Sequence, residues 1–151
     1  MEKASNLAIL MNKKDGTFLI RTFAIDPRYG YRAEFGELLS VDIESMRTRG
    51  LEIVLANLET FFERDALRDL KERPRQPREE SLKLDRTTYE VAVALTGHKL
   101  CLDPMKRVGS GSSVGIECPA ITLDATCTNE EFFQLLTKAF SICKIHDKKA
   151  T

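Results

Sequence analysis

Two long segments of this sequence carry apolar residues at helical spacing, in stripes wide enough to need burial. In the first, from about Val41 to Phe62, apolar residues recur every three or four positions and form two adjacent rows along one side of the predicted helix. In the second, Phe132, Leu136 and Phe140 share one face of a helix that starts after Thr128. Because such stripes must pack against another layer, we expect both helices to lie on a sheet.

Short β-rich runs supply that sheet. Leu7–Met11 and Thr17–Phe23 flank an Asp15-Gly16 turn, which predicts a β-hairpin. Further strands are predicted at Tyr89–Leu95, His98–Asp103 and, interrupted at Pro119, Ile116–Asp124. The order is two strands, a helix, three strands and a helix. It predicts an α+β fold, a mainly antiparallel β-sheet with two amphipathic helices packed on it.

The helix starts have recognisable caps. Thr128-Asn129-Glu130-Glu131 has the pattern of a capping box, in which the threonine and the second glutamate satisfy each other's backbone N–H groups. Ser40 or Asp42 can cap the first helix. Gly50, inside that helix, predicts either a close approach of another element or a kink.

Charge is concentrated rather than evenly spread. Residues 1–151 are expected to form a single domain, with a charged loop rich in Pro and Arg at about 63–86. Pro74 and Pro77 forbid a continuous helix there, so the segment is a loop or a short helix with a loop. An adaptor or RNA-associated module using Arg73–Arg86 is one alternative function, although neighbouring glutamates largely cancel its positive charge.

The composition excludes some classes of protein. The 23 Lys and Arg residues balance 23 Asp and Glu residues, whereas a general binder of nucleic acids or anionic membranes has a basic excess. No apolar run approaches the roughly 18 residues of a membrane helix, and the N-terminus does not resemble a signal peptide. We therefore expect a cytoplasmic protein with no membrane partner and no direct nucleic-acid partner.

Chemical motifs are weak. Gly111–Gly115 matches the Gly-x-Ser-x-Gly pattern of a nucleophile elbow, but a strand rather than the required helix is expected after it. A small cytosolic hydrolase using this loop stays a second alternative. His98, Cys101, Cys143 and His146 have the donors for zinc in poorly matched positions. We expect no catalytic residues, no cofactor and no metal.

Two regions are candidates for partner binding. Aromatic and charged side chains in a loop are typical of interfaces, and exposed acids suit a basic partner. The candidates are Arg28, Tyr29, Tyr31, Arg32, Glu34 and Glu37 in the loop, and Glu52, Glu59 and Glu63 on the first helix.

Two segments resemble a known family. They are the helix Gly50–Phe61 and the terminal strand, acidic cap and helix Ile121–Phe140. Together they are similar to the immunity proteins of bacterial contact-dependent growth inhibition systems. The resemblance covers about a quarter of the chain and carries over no functional residue, because each immunity protein has its own toxin-facing surface.

That resemblance implies a function and a partner. Proteins of this family are small, cytosolic and α+β, and they bind and neutralise the C-terminal toxin domain of a matching surface-delivered protein, often a nuclease. We therefore expect a non-enzymatic immunity protein whose partner is a cognate toxin domain. Which toxin is bound, by which surface and in which oligomeric state does not follow from the sequence.

Overall fold

The computed structural model describes residues 5–25, 32–34, 38–63, 78–108 and 112–148. Within these residues the helices are α1 (Ile43–Glu63), α2 (Arg78–Thr87) and α3 (Asn129–Lys148). The strands are β1 (Ser5–Asn12), β2 (Phe18–Ile25), β3 (Arg32–Glu34), β4 (Leu39–Val41), β5 (Thr88–Thr96), β6 (Lys99–Val108), β7 (Ser112–Gly115) and β8 (Ile121–Asp124). The predicted α+β class is confirmed.

The described strands form one antiparallel sheet in the order β3-β2-β1-β5-β6-β7. At one side β4 also pairs with β2, and at the other β8 also pairs with β6. The central ladder joins β1 to β5 from Ser5 opposite Leu95 to Asn12 opposite Thr88. The sheet is therefore centred on two strands that are distant in sequence, which local patterns do not predict.

Two tight turns of the sheet contain a glycine, one at the predicted Asp15-Gly16 position and one between β5 and β6. Gly16 and Gly97 have positive φ angles of 75° and 62°, the left-handed conformation that glycine adopts without strain. At the first turn the Asp15 carboxylate accepts the Thr17 N–H at 2.9 Å. Hydrogen bonds from Thr17 hold the pKa of Asp15 below its ordinary value. The β1–β2 hairpin is thus confirmed, together with the turn between β5 and β6.

Some predicted elements were wrong. Residues 112–115, expected in a Gly/Ser loop, form β7, whereas Ile116–Cys118, predicted as strand, lie outside any ladder. The irregular connection before α1 contains β3, and β4 takes up Val41, where that helix was expected to begin. The Ser45 N–H donates to the Asp42 carboxylate at 2.7 Å, so Asp42 caps α1. These errors share a cause, because edge strands of three or four residues depend on a neighbouring strand more than on their own sequence.

The core lies between α1, α3 and one face of the sheet, which we call the helix face. Alternate residues of the strands point towards it, as the two-residue period of a strand requires. The fully buried contributors include Leu7, Ile9, Val91, Leu100 and Leu102 from the sheet, and Met46, Val54, Leu58, Phe132 and Leu136 from the helices. At about 1.5–3 kcal/mol for each large side chain, this layer is the main stabilising contribution.

The helices approach each other closely at Gly50. A Cβ atom there would lie 2.9 Å from Met46 Sδ and 3.4 Å from the ring of Phe132. The next residue, Leu51, donates its N–H to the side-chain oxygen of Asn129 at 3.0 Å. Of the two predictions for Gly50, close approach is the one that the structure supports.

The capping box of α3 is also confirmed. The Glu131 N–H donates to Thr128 Oγ1 at 3.1 Å, and the Thr128 N–H lies 3.4 Å from the Glu131 carboxylate. The helix therefore starts at a fixed residue, which places Phe132 over Gly50.

Replacing Gly50 by Val should destabilise the protein by about 1–3 kcal/mol, because the added methyl groups overpack the helix crossing. Urea unfolding followed by circular dichroism measures this change. Gly115→Val is the matched control, since nothing lies within 4 Å of a Cβ at that position. Equal effects of the two substitutions would show that the crossing at Gly50 is not tightly packed.

Candidate partner-binding site

Two of the loop residues singled out from the sequence, Arg32 and Glu34, lie at one edge of the sheet. Arg28, Tyr29, Tyr31 and Glu37 lie outside the described residues. Arg32 and Glu34 belong to β3, where they pair with Ile25 and Phe23 of β2. Their backbone is described and their side chains are not, so their contacts stay a prediction.

The acids singled out on α1 follow a single helix. Glu52, Glu59 and Glu63 are seven and then four residues apart, a spacing that places them on one face. The Glu52 side chain is 64% exposed and lies 3.5 Å from Arg49. Such an exposed pair contributes little stability, so Glu52 is accessible to a partner. The side chains of the other two acids are not described.

The structure adds a group of charged residues that the sequence analysis missed. It lies on the far face of the sheet, opposite the helix face. Arg21 stands across from Ala8, and Glu90 across from Leu10. Ala8 and Leu10 are almost fully buried, so this face is covered here as well. Together with Asp85 and Arg107 these charges form what we call the buried charge cluster.

Arg107 connects the cluster. Its guanidinium donates to the Glu90 carboxylate at 2.6 Å and, through Nε, to the Asp85 carbonyl at 3.1 Å. It also lies 3.5 Å from the Asp85 carboxylate, which Arg21 approaches to 3.8 Å. The four side chains are 10% to 19% exposed. Two positive and two negative charges therefore compensate one another with little solvent access.

The cluster fastens α2 to the sheet. Asp85 is in α2, whereas its two guanidinium partners are in β2 and β6. Thr88 and Ser113 add further contacts, to Arg107 and Glu90 respectively. In the sequence, Arg21 and Glu90 alternate with apolar residues, a pattern that predicts a solvated face. In the structure they are nonetheless buried, beside Asp85 of α2 and Arg107 of β6.

The hydrolase motif does not have the geometry of a nucleophile elbow. Its serine, Ser113, lies in β7 rather than in a turn between a strand and a helix. The hydroxyl donates to the Glu90 carboxylate at 3.4 Å, which is a structural contact rather than activation by an imidazole.

The four potential zinc ligands are not brought together. His98 is in the turn between β5 and β6, and Cys101 points to the far face from β6. Cys143 lies on the helix face, where its thiol donates to the Glu90 carbonyl at 3.3 Å. Within the described part of the chain, no three His, Cys, Asp or Glu residues form a group suited to a metal ion.

A cleft opens where β5 and β6 separate, and we call it the terminal cleft. The register between these strands ends at Glu90 opposite Met105, after which β6 continues to Val108. The last turns of α3 lie beside the gap. The cavity has a volume of about 280 Å³. Its lining comprises Lys13, Thr88, Tyr89, Glu90, Met105, Lys106, Arg107, Val108, Cys143, His146 and Asp147.

The charges of the cleft are partly paired. Lys13 lies 3.4 Å from Asp147 and 5.1 Å from the centre of the Tyr89 ring. Burial, with the nearby Asp147 carboxylate, raises the pKa of Tyr89 above its ordinary value, so the phenol stays neutral. Burial also raises the pKa of the Cys143 thiol to about 11. The cleft thus has the character of a binding pocket, and its thiol is poorly suited to act as a nucleophile.

None of the helices among the described residues is long and apolar enough to cross a membrane.

Comparison with known proteins finds solved structures of similar fold. Neither a protein-family model nor a curated protein sequence matches this chain. A protein of unknown function from Neisseria meningitidis has a TM-score of 0.68 and 17% sequence identity, with 95% of this chain and 97% of that chain covered. A chain of the CdiA-CT/CdiI toxin and immunity complex from Yersinia pseudotuberculosis has a TM-score of 0.63 and 13% identity, with 93% and 98% covered. At these identities the likeness shows a shared fold.

Replacing Arg107 by Met should destabilise the protein by about 2–3 kcal/mol, because Glu90 would keep its charge in a poorly solvated place. Arg49→Met, which breaks an exposed pair, should change stability by less than about 0.5 kcal/mol. Urea unfolding compares the two variants. The double variant Arg107→Met/Glu90→Leu should recover part of the loss, and full additivity would argue against a coupled cluster.

Cys143 should resist alkylation in the folded protein. With a pKa of about 11, about 0.1% of the thiol is thiolate at about pH 8. Iodoacetamide labelling followed by peptide mass spectrometry should show Cys118, which is partly exposed, reacting at least about tenfold faster. In urea the difference should disappear. Equal rates in the folded state would contradict the burial of Cys143.

Proposed function

We propose that this chain is a non-enzymatic immunity protein that binds and neutralises the C-terminal toxin domain of a contact-dependent growth inhibition system. The observation that carries the proposal is the fold shared with a chain of a toxin and immunity complex, over almost the full length of both chains. The same family was suggested independently by the segments Gly50–Phe61 and Ile121–Phe140. We expect the protein to act in the cytoplasm and the toxin to be a nuclease.

The described surface suits a protein that binds another protein. The core is closed on the helix face, and the charges of the far face compensate one another in the buried charge cluster. What remains accessible includes Glu52 on α1, the terminal cleft and single exposed apolar side chains such as Val108 and Ile145. Interfaces combine such elements, with apolar anchors surrounded by polar groups.

Neither alternative gains support from the described geometry. The hydrolase hypothesis depended on a nucleophile elbow, and Ser113 lies in an edge strand. The RNA-associated hypothesis depended on Arg73–Arg86. Of that segment, the described part is α2, whose Asp85 is engaged with Arg21 and Arg107.

The test is neutralisation of the toxin domain encoded immediately upstream of this gene. We expect co-expression of this chain to restore the growth of cells that produce the toxin domain. Purified chain should bind a catalytically inactivated toxin domain with the nanomolar affinity of a specific interface, as calorimetry would measure. No binding together with no rescue of growth would refute the proposal.

A charge-reversal pair examines the predicted acidic surface in the same experiment. If the toxin is a basic nuclease, Glu52→Lys should slow association by several-fold at low salt, because complementary charge accelerates encounter. Glu117→Lys is the matched control, since Glu117 is exposed and lies outside α1. Stopped-flow association rates measure the difference, and identical rates would remove Glu52 from the interface.

A further inference from the structure

The terminal cleft has an excess of positive charge. Its described charged lining comprises the cations Lys13, Lys106 and Arg107 and the anions Glu90 and Asp147. Arg107 is paired with Glu90, and Lys13 with Asp147. Of the described cations in the cleft, Lys106 is the one left without an ion pair, and it is exposed. An anionic group would complete the charge balance of the cleft.

The position of Lys106 follows from the sheet. It lies on β6 beyond the last residue pair with β5 and across from Val114 of β7. His146, from the last turns of α3, also lines the cleft. An imidazole is a second nitrogen donor for an anion. Both groups are held on regular elements, so the pocket is formed before a ligand enters.

The size and the rim of the cleft indicate what kind of anion fits. A volume of about 280 Å³ falls just below the range of pockets for drug-sized ligands, and it suits one side chain. Met105 and Val108 offer apolar lining for a hydrocarbon stem. Val108, in the lining, is 37% exposed, and Val114, which lies across from Lys106 on β7, is 43% exposed. A free ion would leave these apolar groups in water, whereas a protein surface would cover them.

We propose that the terminal cleft is an anchor pocket for an acidic side chain, Glu or Asp, of a protein partner. Lys106 forms the ion pair, His146 supplies a second donor, and Val108 and Val114 pack against the surrounding partner surface. A desolvated anchor inside an apolar rim is the usual arrangement of an interface hot spot. The proposal rests on the proposed function in one respect, since it takes the partner to be the toxin domain.

The first experiment measures calorimetric affinities for the inactivated toxin domain encoded immediately upstream. Lys106→Glu should weaken binding at least about tenfold through like-charge repulsion, and Lys106→Met should weaken it less. Lys99→Glu is the matched control, because Lys99 is an exposed lysine at the other end of the same strand. It should stay within about twofold of wild type, since its charge lies away from the cleft. Thermal unfolding verifies that all three variants are folded.

The second experiment examines the pocket without the toxin. The chain is titrated with N-acetyl-glutamate amide and, as a neutral control, N-acetyl-glutamine amide, while NMR follows the resonances of Lys106, Val108 and His146. The carboxylate should shift these resonances in wild type and not in Lys106→Met. Inorganic phosphate is the third probe, and equal or tighter binding of phosphate would identify a general anion site and overturn the proposal.

The outcomes separate the two proposals. If wild type binds the toxin and Lys106→Glu binds as well as Lys99→Glu does, the anchor pocket is wrong while the proposed function stands. If wild type does not bind the toxin, the proposed function fails. The NMR titration with N-acetyl-glutamate amide then tests the anchor pocket independently. No carboxylate-specific shift in that case would overturn the pocket too.

Discussion

The close packing of α1 and α3 over one face of the sheet is the constraint on which the rest of the structure depends. At Gly50 the absence of a side chain lets Phe132 reach the surface of α1, and Asn129 binds the adjacent backbone N–H. Ser5, at the start of β1, donates to the Leu58 carbonyl at 2.5 Å and so joins α1 to the central strand. With these positions set, alternate residues of β1, β5 and β6 enter the core, and their neighbours must face the other way.

On the far face, the same alternation places charged side chains among buried apolar ones. Leu10 and Ala8 are buried there beside Arg21 and Glu90, so charges share a covered surface with apolar groups. Isolated buried charges would be strongly destabilising, which is why the four charges occur as a compensated cluster. Arg107 has the central role because its planar guanidinium reaches Glu90, Asp85 and Thr88 at once. Arg107 also lines the terminal cleft, so one side chain both holds α2 against the sheet and shapes the cleft.

The terminal cleft forms because the two ends of β6 pair with different strands. The first part of this strand pairs with β5 and β8, and its last part pairs with β7. The gap that results lies between rigid elements, an arrangement that lowers the entropic cost of binding. Such a frame suits the binding of a ligand without large rearrangement of the strands around it.

Elements whose chemistry is local could be predicted from the sequence. The Asp15-Gly16 turn, the capping box at Thr128 and the apolar stripes of α1 and α3 are complete within a few residues, because backbone donors and side chains meet there over one or two helical turns. The run Leu7–Met11 was predicted as a strand for a similar reason. The α+β class followed from the order of these elements.

Contacts between distant parts of the chain selected the pairing of β1 with β5, the short strands β3, β4 and β7, the buried charge cluster and the terminal cleft. Each of these joins residues far apart in the chain, and the free energy that selects them comes from contacts rather than from local preference. Arg21 and Glu90 illustrate the limit. Their alternation with apolar residues fits a solvated face equally well, whereas the structure buries them beside residues distant in the chain, Asp85 and Arg107.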